Sequence, residues 1–325
     1  MSARKRCVVT VLAGALALAA ASCSSWTGSQ QIRFDDPYIN QLPPPRPAGW
    51  LGMARRFRAY ARVDRAFELE KENRLDAAAA QVAPYLKEDP KDLRVRAYYL
   101  GLLARLDRPA QVIEEADRIL AAEPAYVPAL LARARARAGQ GHLGPAVQDL
   151  LAASRSPMVR PEDRAAALAD AARYTLARAD ALERAHRWGE AAGVYASALD
   201  LPLTASQRVQ ARVGKGRSAA AQARADGNLG EAVAHLDSAL AVGAIPVVEQ
   251  RDILGLLAAD LEAMGRPAAA GARVEQLLAM GPTPGTTVPS LHRRAAALFL
   301  AAGQPSRAAT HLEAAGRLVG GTAGA

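Results

Sequence analysis

Apolar residues recur along most of this chain at helical spacing, in stretches that stop at a proline or a polar turn and then begin again. Three of the stops line up: YLKEDP (85–90), ILAAEP (119–124) and DLLAASRSP (149–157), whose closing prolines lie 34 and 33 residues apart. Before each apolar run comes a short turn: ENRLDAA, LDRPAQV and GQGHLGPAV, then AHRWGEAA, DGNLGEAV, MGRPAAA and AGQPSRAA. A helix, a tight turn, a second helix and a stop make one hairpin. The pattern therefore predicts a helical hairpin repeated along the chain.

The spacing of the repeats carries further information. Between the leading residues of successive second helices, Ala78, Val112, Ala146, Ala191, Ala232, Ala270 and Ala308, the intervals are 34, 34, 45, 41, 38 and 38. The excesses over 34 match about three, two, one and one turns of α-helix at 3.6 residues per turn. A helix lengthened by whole turns keeps its apolar face aimed the same way, so the later hairpins are expected to have longer helices. Pro161–Arg187 is the clearest case. Its start, Arg160-Pro161-Glu162-Asp163, places proline at the first helical position and acids in the first turn.

Within each second helix a small residue is followed four later by a large one: Ala78/Val82, Val112/Ala116, Ala146/Leu150, Ala191/Tyr195, Ala232/Leu236, Ala270/Val274 and Ala308/Leu312. A second small residue comes three later at Ala153, Ala198, Ala239 and Ala315, while Tyr85, Ile119 and Leu277 are larger. Two stretches, WGEAAGVYASAL (188–199) and LGEAVAHLDSAL (229–240), carry the pattern most fully. They resemble the tetratricopeptide repeat. The resemblance covers roughly 57–318 and implies an all-α fold, an α-solenoid superhelix of about seven such hairpins over residues 51–318. First helices match less well: Gly101 is one place off, and Arg133 and Arg137 stand where the family has apolar residues. Small side chains at fixed sites let helices approach to the lower end of the usual 8–10 Å. A lone hairpin cannot bury its apolar stripe, and stacked neighbours can.

The first residues differ from this body. MSARKRC is basic and Val8–Ala21 is apolar, about the length of a signal-peptide core and too short for the roughly 20 residues that span a bilayer. Cleavage after Ala21 with release, an uncleaved anchor, and modification of Cys23 are the alternatives. Ala20, Ala21 and Ser22 before Cys23 resemble the lipobox of bacterial lipoproteins, with Ala20 in place of the usual leucine. The resemblance implies a signal peptide over 1–22, lipid on Cys23, and, with Ser24 following, sorting to the outer membrane if the host is Gram-negative. Residues 23–50 contain PPPRP and no helical period, which predicts a flexible proline-rich tether; docking of Trp26, Phe34 and Tyr38 on the body is the other possibility. Residues 319–325 read as a disordered tail. The other cysteine, Cys7, precedes the cut, so the mature body is expected to have no disulfide, cysteine zinc site or thiol nucleophile.

Composition fits close-packed helices: half of the 325 residues are apolar and only 5% aromatic. The formal charge is +9, or +6 without the three basic residues of 1–22. No metal or cofactor is expected, because His142, His186, His235, His292 and His311 form no H-E-x-x-H or similar spacing. Gly214-Lys215-Gly216-Arg217-Ser218 lacks the spacing of a phosphate loop, and no G-x-S-x-G occurs, so no enzyme is expected. Nucleic acid is not an expected partner, since no aromatics interleave the basic residues. In the family's superhelix, first-helix residues line a groove. By this register they include Arg94, Arg105, Arg135, Arg173, Arg217, Arg224 and Arg293, with Asp180, Glu183 and Glu262 among them. Arginine forks pair with carboxylates, which makes an acidic peptide or anionic polysaccharide a candidate ligand; ordinary helix-surface arginine is the other reading. The expectation is a scaffold for other envelope proteins, held to a membrane by its lipid. Lipoproteins of this kind take part in outer-membrane protein insertion, pilus secretin assembly, polysaccharide export and peptidoglycan synthesis. The alternatives are a secreted ligand-binding module and the regulatory subunit of an envelope enzyme.

Overall fold

A computed structural model describes residues 34, 36–43, 50–281 and 287–320, and for 50–59 and 319–320 it describes the backbone alone. The expected signal segment, Cys23, most of the tether and residues 321–325 lie outside the described residues. Among the described residues every regular element is a helix. A short helix, α1 (Pro37–Gln41), comes first. It is followed by α2 (Trp50–Lys71), α3 (Leu75–Glu88), α4 (Leu93–Arg105), α5 (Pro109–Ala122), α6 (Val127–Gly139) and α7 (Leu143–Arg155). Then come α8 (Pro161–Arg184), α9 (Trp188–Ala198), α10 (Ala205–Ala225) and α11 (Leu229–Leu240). The last are α12 (Val247–Ala263), α13 (Pro267–Ala279), α14 (Val288–Ala301) and α15 (Pro305–Gly320). The expected fold class is the observed one: all-α, hairpin after hairpin.

The chain divides into two compact units, Met1–Ala136 and Arg137–Ala325. The first holds α1, the hairpins α2/α3 and α4/α5, and most of α6. The second begins with the end of α6 and α7 and continues through the hairpins α8/α9, α10/α11, α12/α13 and α14/α15.

All seven turns inside the hairpins share one construction. Two residues before each second helix the backbone takes a positive φ: Asn73, Asp107, Gly141, His186, Gly227, Gly265 and Gly303. The next residue's amide then reaches back five positions, as in Arg74 to Leu69 (2.8 Å), Asn228 to Ala223 (2.8 Å) and Gln304 to Phe299 (2.8 Å). This left-handed cap with its long back-bond closes the first helix and reverses the chain. Glycine, asparagine and aspartate tolerate the conformation best. His186 does so with its ring against Trp188, 5.0 Å between centroids.

The whole-turn expectation holds for the middle of the chain. First helices have 13 residues in α4 and α6, but 24 in α8, 21 in α10 and 17 in α12. It fails at the last interval. Helix α14 has only 14 residues, and the extra chain falls in the connection between Ala279 and Val288. Residues 282–286 of that stretch lie outside the described residues. The tail expectation is also shifted, because α15 continues to Gly320.

The packing positions are buried as the repeat requires: Ala78, Ala146, Ala191, Tyr195, Ala198, Ala232, Leu236, Ala239, Ala270 and Ala308. Leu312 is the exception at 50% exposed. In an earlier hairpin the equivalent Tyr195 lies against Gly214 of the next first helix, and among the described residues no helix follows α15.

That contact also accounts for Gly214-Lys215-Gly216. The pair sits in the middle of α10 with a neighbour on each side. A Cβ built on Gly214 would lie 2.5 Å from the Tyr195 ring, and one on Gly216 would lie 2.7 Å from Ala239 Cβ in α11. These glycines serve close approach. Alanine raises helix propensity by about 0.5–1 kcal/mol, but overpacking costs about 1–3 kcal/mol. Gly214→Ala is therefore expected to lower the stability of the second unit. Gly255→Ala in α12, with nothing within 4 Å of the added carbon, is expected to raise it. Urea unfolding of both variants checks the opposite signs.

Candidate functional site

The seven arginines expected to line a groove are mostly engaged within the chain. Arg94 in α4 donates to the carbonyls of Leu42 (2.8 Å) and Asn40 (3.4 Å). Arg105 in α4 pairs with Glu70 in α2, Arg217 in α10 with Glu183 in α8 (3.0 Å), and Arg224 in α10 with Asp260 in α12 (2.7 Å). Arg173 pairs with Asp170 at 2.7 Å and lies over the Tyr174 ring, 4.6 Å from its centroid. Arg135 and Arg293 are exposed and have no hydrogen-bond or ion-pair partner among the described residues. The set does not converge on one site: Arg94, Arg105 and Arg135 lie in the first unit, the other four in the second.

Three of these pairs belong to a series that joins first helices of neighbouring hairpins across 34, 35 or 36 residues. Arg294–Glu262 (3.2 Å) between α14 and α12 continues it. Second helices have their own series, in Arg273–Asp237 between α13 and α11 (2.8 Å) and Arg307–Glu275 between α15 and α13. A fork that reaches an acid about one repeat away, backward from Arg105 and Arg217 and forward from Arg224, helps align neighbouring hairpins. Exposed members add little stability each.

One acid missed in the sequence organises the first unit. Asp92 caps α4, accepting from the amides of Arg94 and Val95 at 3.1 Å, and also accepts from the hydroxyls of Tyr85 and Tyr60. Burial, then the adjacent Asp92 carboxylate, push the Tyr85 hydroxyl far above the ordinary tyrosine range, so it remains a donor. This ties the first hairpin to the start of the second.

At Phe34 and over 36–42 the tether expectation is corrected, and the alternative of docking on the body holds for Phe34 and Tyr38, while Trp26 lies outside the described residues. Phe34, Tyr38, Ile39 and Leu42 are buried. The Phe34 ring meets Phe67 of α2 at 5.7 Å and Tyr98 of α4 at 5.9 Å, and those two meet each other at 4.7 Å. Asp36 accepts from the Tyr38 amide at 2.8 Å, with Pro37 at the first helical position, and so starts α1. Beside the segment, between α2 and α4, lies a cleft of about 860 Å³. Phe34, Phe67 and Tyr98 line it, with Asp36, Asp64, Glu68 and Glu70 against Lys71 and Arg105.

A second polar cluster sits in the last hairpin. His292 Nδ1 of α14 lies 3.0 Å from His311 Nδ1 of α15, and His311 Nε2 lies 3.2 Å from Glu275. Phe299 stacks on His311, and Arg307 covers Phe299 at 4.0 Å while pairing with Glu275. A hydrogen bond between these two ring nitrogens needs one to donate and the other to accept. Burial and then His311 lower the pKa of His292, so the folded state favours its neutral form. As pH falls through the ordinary histidine value of about 6.5, the unfolded chain binds a proton that the folded one resists, and stability falls. Amide exchange in α14 and α15, corrected for intrinsic rate, is expected to be faster at pH 5.5 than at 7.5. His292→Gln should flatten the difference; equal protection at both pH values would refute the assignment.

No family model matches the chain, and no curated protein is recognisably similar in sequence. Solved structures are similar in part. A tetratricopeptide repeat protein from Parabacteroides merdae is 14% identical, with 80% of this chain and 92% of that one covered and a TM-score of 0.32. The C-terminal part of a TPR repeat-containing protein from Cytophaga hutchinsonii is 16% identical over 69% and 84% of the two chains, with a TM-score of 0.38. PilF of Pseudomonas aeruginosa is 13% identical over 82% and 93%, with a TM-score of 0.28.

Proposed function

We propose that this chain is a protein-docking scaffold of the bacterial cell envelope, anchored by lipid on Cys23 and facing the periplasm from the outer membrane. The observation that carries the docking part is the cleft of the first unit, where two hairpins and the 34–42 segment bring aromatic rings and carboxylates to one open surface. Its anchoring part rests on the basic start, the short apolar run and the small residues before Cys23. Two or more acyl chains hold a protein stably at a bilayer. Among the described residues no helix is long and apolar enough to cross a membrane.

Acidic peptide or anionic polysaccharide has less support as ligand, since five of the seven arginines already bond within the chain.

Membrane fractionation of the wild type and Cys23→Ala, with radiolabelled palmitate incorporation, tests the anchor. Wild type is expected in the outer-membrane fraction with label, and the variant without label and released. Unlabelled wild type in the soluble fraction would end the lipoprotein reading. In-cell cross-linking with mass spectrometry is expected to join the first unit to another envelope protein. Cross-links confined to the chain itself would end the scaffold reading.

A further inference from the structure

The cleft of the first unit has a polarity opposite to the one its arginines suggest. Four acids and two cations border it, a balance of −2. Both cations are already held: Lys71 by Glu68 at 3.0 Å, and Arg105 by Glu70, which also accepts from the Tyr98 hydroxyl at 2.8 Å. Two carboxylates remain uncompensated. Among the described residues the Asp36 carboxylate accepts only from the Tyr38 amide, while its backbone carbonyl accepts from Asn40 at 3.4 Å. The exposed Asp64 has no partner among the described residues. Three aromatic rings line the same cleft, Phe34 and Tyr98 buried and Phe67 half-buried. Ring faces are negative, and a cation over them within about 6 Å is attracted. Carboxylates beside aromatic faces select a positive group and repel an acid.

The dimensions indicate how much of a ligand enters. On α2 the lining runs from Asp64 to Lys71 and on α4 from Ala97 to Arg105, a length of roughly 10–12 Å at the helical rise. That accommodates about three or four residues of extended chain at about 3.3 Å each. A volume of about 860 Å³ is ample for such a stretch and far larger than a lone ammonium group needs.

We propose that the cleft binds a short extended segment of a partner protein, carrying a lysine or arginine beside an apolar residue. The cation sits against the half-buried Phe67 ring on the side of the Asp36 and Asp64 carboxylates. The apolar side chain rests on the edges that Phe34, Ile39 and Tyr98 leave exposed. Because Phe34, Asp36 and Ile39 come from the docked 34–42 segment, that segment completes the site. The proposal rests on the scaffold reading and adds the chemistry of the partner.

The test measures binding of three probes to the full chain by isothermal titration calorimetry: the peptides acetyl-Gly-Lys-Leu-Arg-Gly-amide and acetyl-Gly-Glu-Leu-Glu-Gly-amide, and choline. The basic peptide is expected to bind, at least tenfold more tightly than either other probe, and more weakly as salt rises from 50 to 300 mM. Asp64→Asn, at an exposed site with no partner to lose, should weaken it severalfold without changing the melting curve. Phe67→Leu, which keeps an apolar floor and removes the ring face, should weaken it as well. Equal or tighter binding of the glutamate peptide, choline binding as tightly as the peptide, or no effect of Asp64→Asn would each overturn the proposal. If the basic peptide does not bind while cross-linking still finds an envelope partner, the cleft chemistry is wrong and the scaffold reading survives.

Discussion

Ala232→Arg is expected to break the second unit in the middle. Ala232 is fully buried in α11, within one apolar cluster that draws on α10 (Ala220 and Ala223), α12 (Leu257 and Leu261) and α13 (Ala270). An arginine there has no space for its stem and brings a guanidinium with five donors among methyl groups. The buried acid of α12, Asp260, is already held by Arg224. A buried cation without a partner costs several kcal/mol, on the order of 3–5, and lost packing adds to it. That is a large part of the roughly 5–15 kcal/mol that holds a domain together. Hairpin stacks depend on nearest-neighbour interfaces, so the damage should be local. Protection from amide exchange is expected to vanish over α10–α13 and persist in α3–α5, and urea unfolding should split into two transitions. Wild-type melting with wild-type exchange would place Ala232 away from the interface and discard the repeat register.

The parts of the fold that could be read from sequence are those in which local chemistry and long-range packing demand the same residue. Each hairpin turn needs a left-handed residue next to a short polar run, and Gly227, Gly265 and Gly303 announce it. Each crossing needs a small side chain, and the alanines recur accordingly. The length of α8 was legible because an insertion of whole turns leaves a numerical trace. The last interval left the same trace without a longer first helix, since spacing records chain length and not conformation. The arginines show the limit more sharply. Counting them along first helices suggested a basic face, whereas their charge is met by Glu70, Glu183 and Asp260 about one repeat away. Those acids were readable in sequence, but the pairing appears only when two repeats are laid side by side. The docking of Phe34 and Tyr38 stood only as an alternative, because the prolines that follow them favoured a tether. Asp36-Pro37 is a sound helix start, yet five residues of helix leave no period to detect, and the burial of Phe34 depends on two helices distant in sequence.

The same contrast sets the second large prediction, on the hairpin that carries half of the cleft. Arg96 of α4 and Glu115 of α5 form an ion pair whose side chains are only 5% and 8% exposed. Arg96 also donates to the Pro90 carbonyl at 2.7 Å, and Glu115 accepts from Arg118. Two charges withdrawn from water in this way depend on each other. Glu115→Ala leaves the guanidinium buried with a lone carbonyl, and the first unit is expected to lose about 3–5 kcal/mol. Replacing both, as Arg96→Met with Glu115→Leu, removes the charges with most of the volume retained. It should recover all but about 1–2 kcal/mol, the remainder reflecting the Pro90 carbonyl left without its donor. A coupling energy of at least about 2 kcal/mol is then expected from the double-mutant cycle. Tyr98 and Arg105 project from the same α4 that this pair holds to α5. Glu115→Ala should therefore also weaken the basic peptide, and the double replacement should restore it, although neither residue lines the cleft. If Glu115→Ala costs less than about 1 kcal/mol, the pair behaves as a solvated one. If it costs the expected amount and binding is unchanged, the cleft does not depend on how α4 is seated.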